Sequence, residues 1–188
     1  DIRNSPDGPR IAAIFDFDCT LIAWYSATAF IREQLKRVDL SSRQFVELMR
    51  AMTSFGLGNI GFSGMMAINA QFMRGIEEDT YQEVGIQLYT KQIARLIYPE
   101  SRALVAAHQA KGHTVAIISS ATPYQVEPAA ADLGIKHVLC TKLEVKNGQF
   151  TGGVIHPTCF GQGKVDAAES LAKQYRADLR KSFFYSDS

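Results

Sequence analysis

Asp16 and Asp18 stand two positions apart at the end of the apolar run Ile11-Ala-Ala-Ile-Phe15. Side chains at i and i+2 of an extended segment lie on the same side, so both carboxylates can point into one crevice. Two anions held this close repel each other and favour a shared divalent cation, and hard oxygen ligands suit magnesium. An acidic turn after a strand gives the same short pattern, so the other reactive side chains must decide. Ser119 and Ser120 end a second apolar run, Thr114-Val-Ala-Ile-Ile118, and Thr122-Pro123 then opens a helix. Hydroxyls and backbone N–H groups at a helix N-terminus make a phosphate seat. Lys164 begins a later helix after a Gly-rich stretch and supplies positive charge. Asp187 follows the run Ser182-Phe-Phe-Tyr185 and offers a further oxygen ligand for the cation. A carboxylate nucleophile, a hydroxyl, a lysine and a metal-binding acid together suit phosphoryl transfer through an aspartyl phosphate.

Strands and helices must hold these groups in place. The run ending at Phe15 is apolar throughout, the pattern of a parallel strand covered on both faces. Open α/β sheets bind ligands at the carboxyl ends of such strands. Residues 1–10 are polar and turn-forming and read as a lead-in or linker. Residues 22–97 turn helical. Phe30, Ile31, Leu35 and Val38 form one stripe, and Phe45, Leu48, Met49 and Met52 a second with Ser41 and Ser42 as N-cap candidates. Met65, Ile68 and Phe72 form a third stripe, and Tyr89, Ile93, Leu96 and Ile97 a fourth. Four helices in succession predict a small bundle. The break Gly56-Leu-Gly58-Asn-Ile-Gly61 follows no strand and reads as a connection between helices.

From Tyr98 the chain alternates. A helix from Pro99 to Ala110 closes at Lys111-Gly112, and strands follow at 114–118 and 137–140. Asn147-Gly148 between Leu143–Val145 and Phe150–Thr151 signals a hairpin. A helix over Lys164–Tyr175 precedes the last strand. The expected class is α/β: a Rossmann-like parallel sheet core of residues 1–21 and 98–188, interrupted by an α-helical bundle cap over 22–97.

With these residues in view, the chain resembles the haloacid dehalogenase superfamily, in its phosphoserine-phosphatase-like group with a helical cap. Asp16-Phe-Asp18-Cys-Thr20-Leu21 is similar to that family's first motif, Asp-x-Asp-x-Thr-Leu. Ile117-Ile-Ser119 resembles the second, Lys164 the third, and Phe184-Tyr-Ser186-Asp187-Ser188 the start of the fourth, usually Gly-Asp-Ser-x-x-Asp. The resemblance implies a phosphatase acting on a small phosphate monoester. It makes Asp16 the nucleophile and Asp18 the general acid and then base. It places Ser119, Ser120, Lys164 and Thr20 at the phosphate, and assigns magnesium to Asp16, the Asp18 carbonyl and Asp187. A cap that closes over the site would exclude water until the leaving group has gone.

Two departures carry expectations of their own. The second acid of the fourth motif would fall beyond Ser188, and a chain stopping just after a strand and an aspartate is expected to be truncated. Phosphoserine phosphatases also carry an acid soon after the first motif to hold the substrate's ammonium. Ile22-Ala-Trp24-Tyr25-Ser26 contains none, which disfavours phosphoserine and points to a less polar leaving group. A weaker resemblance links the lead-in and cap to the phosphatase-like half of bacterial acyltransferase fusions. A receiver-type phosphoacceptor domain and a catalytically silent one remain as alternatives.

Composition sets the outer bounds. The chain has 188 residues, 46% of them hydrophobic, which fits one domain with a modest insertion. A net charge of +1 gives no electrostatic reason to expect nucleic acid or an anionic membrane as partner. Cys19, Cys140 and Cys159 form no Cys-x-x-Cys pair and read as free, inert thiols of a reducing compartment. No run is long enough to span a bilayer and no signal peptide is evident, so the expected location is cytoplasmic. Gly161-Gln-Gly163-Lys164 lacks the rest of a P-loop, and His108, His113, His137 and His156 show no metal-ligand spacing. Oligomeric state leaves no mark on the sequence.

Overall fold

The computed structural model describes residues 2–37, 46, 49–50, 53–54, 57–58 and 61–187. Four parallel strands form the central sheet: β1 (Ala12–Phe15), β2 (Thr114–Ser119), β3 (His137–Cys140) and, last in the chain, β6 (Phe183–Tyr185). Their order is β3-β2-β1-β6, with Ala12 opposite Thr114 and Phe15 opposite both Ile117 and Tyr185. Every residue of β1 and β2 is buried. The period of two divides them between faces. Ala13, Phe15, Val115 and Ile117 pack into one core, while Ala12, Ile14, Ala116 and Ile118 meet Cys159 and Leu171 in the other.

Between β1 and helix α4 (Pro99–Ala110) the chain forms α1 (Ser26–Arg37), α2 (Phe62–Met73) and α3 (Glu78–Leu88). A π turn, Tyr89–Ile93, and a 3-10 turn, Ala94–Leu96, lead back to the sheet. Of the expected fourth stripe, Tyr89, Ile93 and Ile97 are buried, although the helix ends before them. The second stripe falls mostly outside the described residues, with Ser41, Ser42, Phe45, Leu48 and Met52; so do Val38 and the side chain of Leu35. The third stripe needs correction. Met66, Ala70 and Met73 are the buried positions of α2, and Met65, Ile68 and Phe72 flank them.

The reason is the partner of α2, which is not a helix. Asn147 (φ 52°) and Gly148 (φ 78°) occupy the left-handed region and close the hairpin of β4 (Leu143–Lys146) and β5 (Gln149–Val154). That hairpin is bonded to the chain between α2 and α3. Gly75 N–H donates to Phe150 O at 2.8 Å, Phe150 N–H to Ile76 O at 3.0 Å and Glu78 N–H to Gly148 O at 2.8 Å. Gln71 Nε2 adds a bond to Gly152 O at 2.9 Å.

Helix α5 (Pro123–Asp132) contains Pro128, which a helix interior normally excludes. Proline leaves the carbonyl of Tyr124, four residues earlier, without its helical donor. The Cα of Gly85 in α3 packs on this carbonyl: a Cβ at Gly85 would lie 2.3 Å from Tyr124 O. Gly85→Ala is therefore expected to force α3 and α5 apart and destabilise the fold by about 1–3 kcal/mol. A lowered urea midpoint with an unchanged m-value checks this. Tyr81, Tyr124 and Phe150 meet edge-on nearby, with centroids 5.2–5.6 Å apart, joining α3, α5 and the hairpin.

The lead-in is not a free linker. Gly8 N–H donates to Lys111 O at 2.8 Å and the Thr114 hydroxyl to Pro9 O at 2.8 Å. Lys111 pairs with Asp7 at 3.0 Å, so residues 5–9 are tied to the α4–β2 turn. Among the described residues no helix is long and apolar enough to cross a membrane.

Candidate active site

Asp16 leaves the carboxyl end of β1 nearly buried, its own N–H still donating to Tyr185 O of β6 at 2.9 Å. Oδ1 accepts the Phe17 N–H at 2.7 Å, and Oδ2 takes an ion pair from Lys164. Lys164 arrives from the first turn of α6 (Gln162–Tyr175), which starts after Gly161 with φ 53°. The turn is tight. A Cβ at Gly163 would stand 1.9 Å from Thr158 O, so glycine is what lets the turn fold back on the loop and present Lys164.

Asp18 lies at the N-terminus of α1, where Ser26 N–H donates to Oδ1 at 2.7 Å. Burial raises its carboxyl above the usual range, with Asp16 adding to the rise and Ser26 and Lys164 opposing it. A proton held longer than on an ordinary aspartate suits an acid. Ser119 closes β2 fully buried, its Oγ accepting Ala121 N–H at 3.1 Å. Phe15 of β1 pairs with Ile117 of β2, so Ser119 ends its strand next to the end of β1 that carries Asp16. Ser120 is half-buried at the head of the same loop.

The Thr20 hydroxyl is buried and has no hydrogen-bond partner among the described residues, while its carbonyl accepts from Ser101 Oγ at 3.0 Å. Thr20 lines a cavity of about 350 Å³ with Cys19, Ser186 and Asp187. Asp187 is exposed just past β6, and Cys19 feels the charge of Asp187, Asp18 and Asp16 alike. Burial pushes the Cys19 thiol up, which fits an inert side chain. Among the described residues no three His, Cys, Asp or Glu side chains form a metal cluster. The set named from the sequence is two carboxylates and a main-chain carbonyl, all hard oxygens, and its chemistry fits magnesium.

Two residues that sequence reasoning passed over belong here. Ser26 holds Asp18, and Gln125 of α5 holds Ser26 through Nε2 and Oγ at 2.9 Å. Neither residue type flags chemistry, and 99 positions separate them. At the mouth, Trp24 and Tyr25 are more than half exposed, with rings 6.2 Å apart. Phe62 of α2 stacks on Phe160 of the loop before α6 at 4.5 Å, and Ser63 Oγ meets Thr158 Oγ1 at 3.2 Å.

The histidines have structural roles where they are buried. His113 Nε2 is 2.9 Å from Pro6 O, which can only accept, so that nitrogen carries the proton. His113 Nδ1 then accepts from His108 Nδ1–H at 2.8 Å, and His108 Nε2 accepts the Tyr185 hydroxyl at 2.8 Å. Tyr185 in turn stacks on Phe15 at 4.6 Å. Burial, with His113 beside it, lowers His108 from 6.5 to about 4. Unfolding frees it to bind a proton in that window. Its contribution to stability is thus complete above pH 6.5 and lost as pH falls towards 4. Unfolding free energies measured across this range should fall more steeply for the wild type than for His108→Gln.

A family model for haloacid dehalogenase-like hydrolases matches residues 13–188, and the chain belongs to that family. A Mycobacterium tuberculosis protein described as a probable phosphatase is 28% identical over 190 residues. The match covers 95% of this chain and 63% of that relative, so the chain spans less than two thirds of its length. Among solved structures, a protein of unknown function from Bordetella pertussis superposes with a TM-score of 0.82 at 18% identity, over 94% of this chain and 81% of that one. A phospho-aspartyl intermediate analogue of phosphoserine phosphatase gives 0.67 at 18% identity, over 96% and 78%. At these identities the likeness is one of fold.

Proposed function

We propose that the chain hydrolyses a small phosphate monoester through an aspartyl phosphate on Asp16. The observation that carries this reading is the Asp16–Lys164 pair, largely withdrawn from water at the end of β1. A carboxylate there can attack phosphorus while the ammonium and the Ser119 hydroxyl hold the phosphoryl oxygens. The ester oxygen leaves with the proton of Asp18, and the substrate is released as its alcohol. Asp18, now ionised, takes a proton from water, whose oxygen attacks phosphorus. Inorganic phosphate departs and the Asp16 carboxylate is restored. Asp16, the Asp18 carbonyl and Asp187 would hold magnesium, whose positive charge offsets that of the phosphate. Residues 22–97 serve as a cap on the core of 1–21 and 98–188. The exposed Trp24 and Tyr25 favour a leaving group less polar than an amino acid.

Hydrolysis of p-nitrophenyl phosphate, with magnesium and with a chelator, tests the reading. Turnover that requires the metal supports it. Stable labelling of Asp16 without turnover would reassign the chain as a phosphoacceptor, and neither label nor turnover would make it a silent domain.

A further inference from the structure

Behind Asp18 runs a chain of buried hydrogen bonds that begins in the loop carrying Ser119. Thr122 donates from both its N–H and its hydroxyl to Gln125 Oε1, each at 2.8 Å. These two donors fix which way the amide faces, so Nε2 is the atom directed at Ser26, 2.9 Å from its Oγ. Ser26 holds Asp18 through its N–H, 2.7 Å from Oδ1. With Gln125 donating to the Ser26 oxygen, the Ser26 O–H is free to turn towards the carboxylate. Thr122, Gln125 and Ser26 are 5%, 7% and 1% exposed, so water does not replace any of these partners. A buried network of this kind fixes side-chain positions more tightly than its separate bonds would.

We propose that Gln125 is a positioning residue for the proton-transfer step. Through Ser26 it holds the Asp18 carboxyl in the orientation that reaches the leaving oxygen, and it couples that orientation to the loop bearing Ser119. This rests on the phosphatase reading above. Gln125 does not touch substrate. Its effect must therefore show in proton delivery and not in the binding of phosphate.

Proton delivery matters most when the leaving group is a poor one. An alkoxide leaves only with a proton, whereas p-nitrophenolate leaves largely without one. The test compares kcat/KM, which reports steps up to formation of the phosphoenzyme, for p-nitrophenyl phosphate and for a simple alkyl phosphate. In Gln125→Leu the alkyl ester should lose about 10- to 100-fold and the aryl ester less than about threefold. Ser26→Ala, a smaller truncation, should shift the same ratio in the same direction. The double variant should be no worse than Ser26→Ala alone, because both changes break one chain. Thermal melts establish that each variant is folded, and Ser26→Ala decides alone if Gln125→Leu is not. An active wild type whose variants lose both esters by one factor, or whose losses simply multiply, would overturn the assignment. A wild type inactive on both esters would overturn the phosphatase reading itself, and the assignment with it.

Discussion

Asp16→Asn is expected to lower turnover of p-nitrophenyl phosphate by about four orders of magnitude or more while leaving the fold in place. Asparagine matches aspartate in shape and keeps an oxygen for the Phe17 N–H that Asp16 Oδ1 now accepts. What it lacks is an anionic oxygen able to form an acyl phosphate. On the proposed reading Asp18 does not take over, because Ser26 holds it at the start of α1 and its role there is that of the acid. The distinguishing readout is covalent. Borohydride reduction of enzyme mixed with substrate should modify Asp16 in the wild type and nothing in the variant. Activity within tenfold of wild type would sink the nucleophile assignment.

The second large effect is expected at Lys164. Its ammonium pairs with Asp16, and both side chains are largely withdrawn from water at 18% and 9% exposure. Lys164→Met keeps the length of the side chain and removes the charge. It should cost about 10²–10³ in kcat, the usual range for one missing transition-state donor. It should also destabilise the resting protein by about 1–3 kcal/mol, because Asp16 is left as a buried anion without its partner. Gly163→Ala separates position from charge. The lysine remains, but the new Cβ would meet Thr158 O at 1.9 Å and must displace the first turn of α6. A comparable fall in kcat is expected. Full activity in Gly163→Ala would show that the placement of this turn is unimportant to the reaction.

The parts of the chain with one strong local cause were legible in advance. A parallel strand buried on both faces has little choice but to be apolar, so β1 and β2 announced themselves and fixed where Asp16 and Ser119 fall. Asn147-Gly148 marked the hairpin because few other pairs accept positive φ at both positions. What escaped was set by contacts distant in sequence. The buried stripe of α2 is Met66, Ala70 and Met73 and not Met65, Ile68 and Phe72, because the helix packs on β5. Pro128 argues locally for a helix end, yet α5 continues past it, with the carbonyl of Tyr124 against Gly85. Gln125 looked like one more polar residue in the first turn of a helix. Its meaning depends on Ser26, which lies on the far side of the insertion in sequence.

The hairpin bonded to the α2–α3 junction has a consequence for anyone who would re-engineer this protein by exchange of parts. Residues 22–97 look like a cassette that a relative's insertion could replace. The backbone bonds of Gly75, Ile76 and Glu78 to Gly148 and Phe150 tie that segment to a hairpin of the core. Phe150, buried between Tyr81 and Tyr124, would keep Tyr124 but lose Tyr81. The transplantable unit is discontinuous: a graft should carry 143–154 along with 22–97, and keep a glycine where α3 meets Tyr124.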